Sequence, residues 1–360
     1  LPLFESGIYD RHPIDETYLQ TFSSHQEFAR ICAEESIVLL KNKGNILPLV
    51  EGNKNILLTG GPESQSGKGS GYVTGYSHTS IYDGLLKLYG DGISYSKIPT
   101  EKEVRDAETV IFILNKEAGE GGDVPYEEPR EQMDILRQIL EWNRNTIVIV
   151  NACNTMPTDW VKKAKAILWI FFLGQERGNA IANILSGKVN PSGKMVFSIE
   201  KSFYDSVDPD YNFLCGTPYW RGDNSYKDYW LNGKDVKISG FSDCVKPMEP
   251  VNIPYSEDIF IGYRWYDKMK LPVLFPFGYG LSYSKFTYGR LNITNELSKG
   301  GKLVVAVRVT NEGDKTGKEI SQLYISDLNN KADDRPVKEL KGFSKIELKP
   351  GESRMVTFIL

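Results

Sequence analysis

The chain is poor in histidine. Its three, His12, His25 and His78, lie in different segments, and none stands at a metal-ligand spacing from another. A histidine-based metal site or a Ser-His-Asp triad is therefore not expected, and no cofactor is implied. Cysteine is scarce as well: Cys32, Cys153, Cys215 and Cys244 show no paired metal-ligand spacing. Cys32 falls in a helical pattern and Cys153 at a strand end, where a buried free thiol is expected. Cys215 and Cys244 share one loop-like stretch and are able to bridge if the compartment is oxidising. No apolar run approaches the roughly 20 residues that cross a bilayer, so no membrane partner is expected. An excess of basic charge is lacking too. A net charge of −4 argues against nucleic acid, whose phosphates need a basic field. The sequence starts at Leu1 rather than Met and shows no signal peptide, as expected of a processed chain or a fragment, and its compartment is not legible.

What is present points to two domains, because 360 residues exceed what one compact core serves. Twenty tyrosines and six tryptophans lean toward carbohydrate, whose C–H faces stack on rings, although both residues serve as often in cores and interfaces. Residues 1–22 read as a polar connector. A helix pattern begins at Ser23, with Ser23 or Ser24 as cap, Glu27 completing a capping box, and Phe28, Ile31 and Cys32 recurring on one face. Short apolar runs at 56–59, 93–97, 109–114, 146–150 and 166–172 then alternate with amphipathic stretches at 81–88, 131–142, 160–164 and 176–185. This alternation predicts an α/β domain over 23–285, with a mostly parallel sheet and helices on both faces. Within it, residues 201–254 form an irregular excursion rich in Tyr, Asp, Asn, Gly and Pro. From Phe286 onward, strands separated by turns and lacking helices predict an antiparallel β-sandwich over 286–360. Only four or five strands are legible where such a sandwich has about seven, so the second domain reads as incomplete, with an open edge.

The most informative segment is the run Thr109-Val-Ile-Phe-Ile-Leu114 followed by Asn115-Lys-Glu-Ala-Gly-Glu-Gly-Gly-Asp123. The apolar run reads as a strand buried on both faces. Ligand chemistry in open α/β sheets lies just beyond the carboxyl ends of such strands. Gly119, Gly121 and Gly122 free the backbone around Glu120 and let a ligand approach closely. Glu120 is thus a candidate general acid, and an acidic surface loop without a role is the competing reading. A second glycine-rich loop, Gly67-Lys-Gly-Ser-Gly71, follows the 56–59 run. It lacks the GxGxxG and Walker spacings of a phosphate cradle, which leaves a substrate contact or a plain flexible loop.

Several long motifs resemble glycoside hydrolase family 3. They are SIVLLKN at 36–42 with LPL at 47–49, LSGKVNPSGK at 185–194, YSEDIFIGYRWYD at 255–267, FPFGYGLSYSKF at 275–286, QLYISD at 322–327 and RPVKELKGFSKIELKPGES at 335–353. The resemblance implies the family's α/β sandwich domain followed by part of its fibronectin type III-like domain. It implies that the aspartate nucleophile and most of the sugar pocket come from a catalytic β/α barrel outside these 360 residues. It maps the family's acid/base onto Glu120 of Gly119-Glu120-Gly121, with Glu117, Glu127 and Glu128 as alternatives. Asp123 fits the pattern that follows, and Gly69 and Ser70 fall where the family contacts substrate hydroxyls.

The function so implied is retaining hydrolysis of β-glucosides or short β-linked oligosaccharides, with this chain supplying the acid/base. The expected partners are a carbohydrate substrate and a barrel from the same polypeptide or another chain, and homo-oligomerisation stays open. The alternatives are a noncatalytic carbohydrate-binding or scaffold protein that kept the fold, and a phosphate- or nucleotide-binding α/β protein resting on the 67–71 loop alone. The ring-rich FPFGYGLSY segment is expected to pack a domain junction rather than hold sugar. Tyr211, Tyr219, Trp220, Tyr229 and Trp230 either rim a pocket or anchor the excursion. The Asn292-Ile-Thr294 sequon, at a strand start, reads as chance.

Overall fold

The computed structural model describes residues 2–5, 7, 17, 21–49, 55–62, 77–119, 126, 129–202, 205, 229–231, 234–236, 258–295, 301–328 and 335–360. A short helix, α1 (Pro2–Glu5), precedes α2 (Phe22–Ser36), which runs into β1 (Val38–Asn42). Then follow β2 (Ile56–Gly60), α3 (Ile81–Tyr89), β3 (Ile93–Tyr95), α4 (Glu101–Asp106), β4 (Thr109–Asn115), α5 (Arg130–Trp142), β5 (Thr146–Asn151), β6 (Ala166–Trp169) and α6 (Arg177–Leu185). Six strands make one sheet in the order β1-β6-β5-β4-β2-β3. Strands β2 to β6 are parallel, and β1 closes the edge antiparallel to β6. The mostly parallel α/β architecture is the one predicted.

The β-branched runs of β4 and β5 are buried along their whole length, and the two-residue alternation of a strand decides which layer each residue joins. Val110, Phe112 and Leu114 pack with Val104 of α4 and Met133, Leu136 and Ile139 of α5. Ile111 and Ile113 pack on the opposite face with Ile81 and Leu85 of α3 and Ile181 and Ile184 of α6. Each such side chain, fully removed from water, contributes about 1.5 to 3 kcal/mol. Helix starts are fixed locally. Ser80 Oγ accepts the Asp83 amide at 3.0 Å, and Thr100 and Glu103 form a reciprocal capping box on α4. Helices α3 and α6 cross where both lack side chains. A Cβ on Gly84 would lie 2.2 Å from the Gly178 carbonyl oxygen, and one on Gly178 would lie 1.9 Å from that of Ser80.

Four local expectations are corrected. Helix α2 starts at Phe22 after Thr21 without a side-chain cap, and Ser24 Oγ donates to the Thr21 carbonyl at 2.7 Å instead. Its Phe28, Ile31 and Cys32 are exposed, while Ala33 and Glu34 face inward. The physical reason is a polar seam that runs from the residue before α6 to its last turn. Gln26 donates to Glu176 at 2.6 Å, Asn179 donates to Glu176 at 2.6 Å, and Asn183 donates to Glu34 at 2.6 Å. Cys153 is likewise exposed, because it lies past the end of β5, where the continuous buried run stops at Ala152. The 160–164 stretch is one 3₁₀ turn, Asp159–Lys162, that buries Trp160 and Val161.

Beyond α6 come β7 (Ile199–Glu200), β8 (Tyr229–Leu231), β9 (Lys234–Val236), α7 (Tyr263–Met269) and β10 (Val273–Phe275). Strand β7 pairs with β10 and β8 with β9, both antiparallel. The sandwich has six strands among the described residues, more than the four or five legible in sequence. These are β11 (Phe286–Tyr288), β12 (Asn292–Asn295), β13 (Leu303–Asn311), β14 (Gly317–Ile325), β15 (Glu339–Leu348) and β16 (Ser353–Ile359). Strand β13 pairs with β11, β12 and β16, and β14 pairs with β15. Its small core is Val307, Val309, Leu348 and Val356, flanked by Phe286, Ile346 and Phe358.

The 275–283 segment fastens the two regions together. Gly278 donates its amide to Met195 O at 2.7 Å and Tyr283 donates its hydroxyl to Ile184 O at 2.9 Å, both on the α/β side. Gln322 of β14 donates to Gly278 O at 3.0 Å from the sandwich side. Gly278 has φ +77°, and a Cβ there would meet Gln322 Oε1 at 2.0 Å, so both conformation and space call for glycine. Glu35 at the end of α2 receives Lys318 and Lys345 from β14 and β15, the latter at 2.6 Å. Burial works against ionisation of Glu35, but the hydrogen bonds from the two lysines outweigh it and hold the carboxyl below the ordinary range.

Candidate functional site

Of the side chains predicted to act, Glu120, Asp123, Gly69 and Ser70 lie outside the described residues, as do Glu127, Glu128, Tyr211, Tyr219, Trp220, Cys215 and Cys244. Glu117 is described and exposed, two residues past the end of β4. Tyr229 and Trp230 are on β8. What is visible is the foundation from which the two glycine-rich loops depart, at the carboxyl ends of β2 and β4.

Those two strands are neighbours, so their outgoing loops leave side by side. Gly60 ends β2 at φ +90°, and a Cβ there would lie 2.2 Å from Ile113 O of β4. No other residue fits this close approach. At the end of β4, Asn115 is 6% exposed and joins three strands. Its Nδ2 donates to Gly61 O at 2.9 Å, and its Oδ1 accepts Asn151 Nδ2 of β5 at 2.9 Å. Asn115 and Asn151 are register partners that end parallel apolar strands, so one amide meets the other across the sheet edge. The Asn115 backbone is held from the far side of its loop. Its N–H donates to Gln132 Oε1 at 3.0 Å, and its carbonyl accepts Gln132 Nε2 at 3.0 Å. Gln132 stands in the first turn of α5, so this pair ties the exit of β4 to the start of the next helix.

Lys116 follows and is 2% exposed. Its Nζ donates to Thr155 O at 2.6 Å and to Tyr126 O at 3.3 Å, and stands 5.8 Å from the centre of the Tyr126 ring. Nearby, Glu200 of β7 is 4% exposed. Burial pushes its carboxyl above the ordinary range, against the opposing pull of a Thr155 hydrogen bond and the Lys116 charge. Burial, followed by the negative charges of Glu200 and Asp205, raises the Tyr266 phenol strongly. Among the described residues no group of three or more His, Cys, Asp or Glu side chains is disposed to hold a metal ion. No helix among them is long and apolar enough to cross a membrane.

Asn115, Lys116, Gln132, Asn151 and Glu200 escape the sequence reading. Asn115, Lys116 and Asn151 carry a signal nonetheless: two apolar runs, 109–114 and 146–150, are both followed by asparagine, and one asparagine by lysine.

The profile described as Glycosyl hydrolase family 3 C-terminal domain matches residues 37–283, and the profile described as Fibronectin type III-like domain matches residues 319–360. Beta-glucosidase BoGH3A of Bacteroides ovatus is 33% identical over 99% of this chain and 49% of its own length. Thermostable beta-glucosidase B of Acetivibrio thermocellus is 32% identical over 94% of this chain and 43% of its own. Among solved structures, beta-glucosidase 3B from Thermotoga neapolitana in complex with glucose superposes with a TM-score of 0.75 at 27% identity, over 94% of this chain and 49% of that one. The chain spans about half the length of the curated relatives it matches.

Proposed function

This chain belongs to glycoside hydrolase family 3, and from that premise we propose that it is the acid/base-bearing part of a retaining β-glucosidase, acting on β-glucosides or short β-linked oligosaccharides. Glu120 is the general acid and base in this reading, and Gly69, Ser70 and Asp123 contact substrate. The nucleophilic carboxylate and most of the sugar pocket come from a barrel in the same polypeptide or in a partner chain.

One observation supports the reading above others: the Glu120 loop departs from the carboxyl end of β4, beside the departure of the Gly69–Ser70 loop from β2, over a root locked by Asn115, Asn151 and Gln132. A retaining glycosidase places two carboxyl groups about 5 to 5.5 Å apart across the scissile bond. One attacks the anomeric carbon as the other protonates the departing oxygen. The second then takes a proton from water, whose oxygen displaces the enzyme carboxylate. A proton donor of this kind contributes about 10² to 10⁴ in rate, and its position must be fixed, because a misplacement of about 1 Å costs on the order of 10²-fold. A buried, amide-bonded loop root supplies that fixity.

The test combines this chain with the barrel half of the enzyme and follows release of glucose from cellobiose, whose leaving group needs protonation. Hydrolysis that Glu120→Gln abolishes is the expected result. Sugar binding by the isolated chain, unaffected by Glu120→Gln and without hydrolysis in the combination, would favour a noncatalytic carbohydrate-binding protein.

A further inference from the structure

We infer that Lys116 is a positioning residue for the acid/base loop, a buried cation whose ammonium pins both feet of that loop to the neighbouring strand exit. The inference rests on the reading of Glu120 given above and goes beyond it by assigning a role to a residue that touches no sugar.

A lysine is an improbable filler for the end of a buried strand. Removing an ammonium from water costs several kcal/mol unless hydrogen bonds replace its hydration. A leucine would occupy the space without that cost, and its neighbours Ile113 and Leu114 show that the strand takes such residues. The ammonium donates to two backbone carbonyls, at positions that matter mechanically. Tyr126 O belongs to the returning limb of the loop that opens at Lys116, so one side chain joins residues ten apart in sequence. Thr155 O belongs to the segment leaving β5, the next strand in the sheet. The Tyr126 ring lies against the same ammonium, 5.8 Å from ring centre to Nζ. Glu120 is four residues past Lys116 and six before Tyr126. Together with the Gln132–Asn115 pair, which closes the same segment one residue earlier on the strand side, the ammonium fixes the separation of residues 116 and 126, on either side of Glu120 in the chain. On this inference the buried ammonium acts on geometry more than on net stability.

The chemistry gives a readout that a merely structural role does not move. Glycosides of 2,4-dinitrophenol leave without protonation, whereas cellobiose and alkyl β-glucosides need the acid. In the complete enzyme, assembled from this chain and its barrel half, Lys116→Met is expected to lower kcat/KM for cellobiose by about 10- to 100-fold while changing 2,4-dinitrophenyl β-glucoside by less than about threefold. Lys116→Arg, which keeps a buried cationic donor, is expected to recover most of the loss. Lys116→Gln keeps a donor without the charge and carries the same comparison should Lys116→Met fold poorly. Equal losses for both substrates, or none, overturn the inference. Glu120→Gln in the same assay separates the two levels. If that variant shows the leaving-group dependence and the Lys116 variants do not, the positioning role alone fails. If Glu120→Gln lacks it, the acid assignment fails and the positioning role with it.

Discussion

Replacing Asn115 with alanine should cost far more stability than its small volume suggests. The side chain makes two hydrogen bonds of 2.9 Å, one to Gly61 O and one from Asn151 Nδ2, at the junction of three strands. Gly61 is half-buried, so water is able to replace part of what its carbonyl loses, and that bond is worth about 1 kcal/mol. Asn151 is 3% exposed, so its amide would be left buried without its acceptor, a penalty of about 2 to 3 kcal/mol. Asn115→Ala should therefore lower the unfolding free energy by about 3 to 4 kcal/mol in urea titrations of the chain. The double variant Asn115→Ala/Asn151→Ala leaves no orphaned amide, so it should be less destabilised than the two single variants together by about 1 to 2 kcal/mol. A loss below about 0.5 kcal/mol for Asn115→Ala, the range of an ordinary surface change, or a strictly additive cycle, would refute the claim that these amides form a closed buried pair.

Gly178→Ala should destabilise the chain by about 2 to 3 kcal/mol in the same titrations, since its Cβ would fall 1.9 Å from the Ser80 carbonyl oxygen and overpacking exceeds the helix-propensity gain of about 1 kcal/mol; a net stabilisation would contradict the close crossing of α3 and α6. Glu200→Gln should flatten the pH dependence of stability. The carboxyl is raised above its ordinary 4.5 by burial, so the native state holds the extra proton, and stability is full below 4.5 and falls as pH rises through the native value. A slope unchanged by the substitution would refute this. Glu35→Gln has the opposite signature. Its carboxyl is held below 4.5 in spite of burial, by the hydrogen bonds from Lys318 and Lys345, so the stabilisation is present above 4.5 and lost as pH falls through the native value. The variant should lose about 1 kcal/mol at pH 7, less at high salt, and nothing in strong acid.

The architecture is legible because its signals are dense. The predicted 109–114 run is β4, Thr109–Asn115, and 131–142 is α5, Arg130–Trp142. Both are long, strongly patterned segments whose period decides their class. Helix α2 shows where periodicity misleads. Phe28, Ile31 and Cys32 recur at helical spacing, yet the helix meets the domain through Gln26, Glu34 and their polar partners on α6. The partner surface chose the face, and a single helix does not encode its partner. The reversed direction of β1 escapes for a similar reason, because strand sense depends on pairing with β6, more than 120 residues away. The site is half legible. Glycine spacing and the family motifs nominate Glu120, Gly69 and Ser70, all outside the described residues, whereas Asn115, Asn151 and Lys116 make contacts between strands that only the folded sheet brings into register.

The most direct measurement is a structure of the complete enzyme holding an uncleavable thioglycoside analogue of its substrate. The Glu120 carboxyl should stand about 3 Å from the bridging sulfur, within reach of proton transfer, on the face opposite the nucleophile. The account is contradicted if Glu120 faces away and Glu117, Glu127, Glu128 or a barrel residue occupies that position.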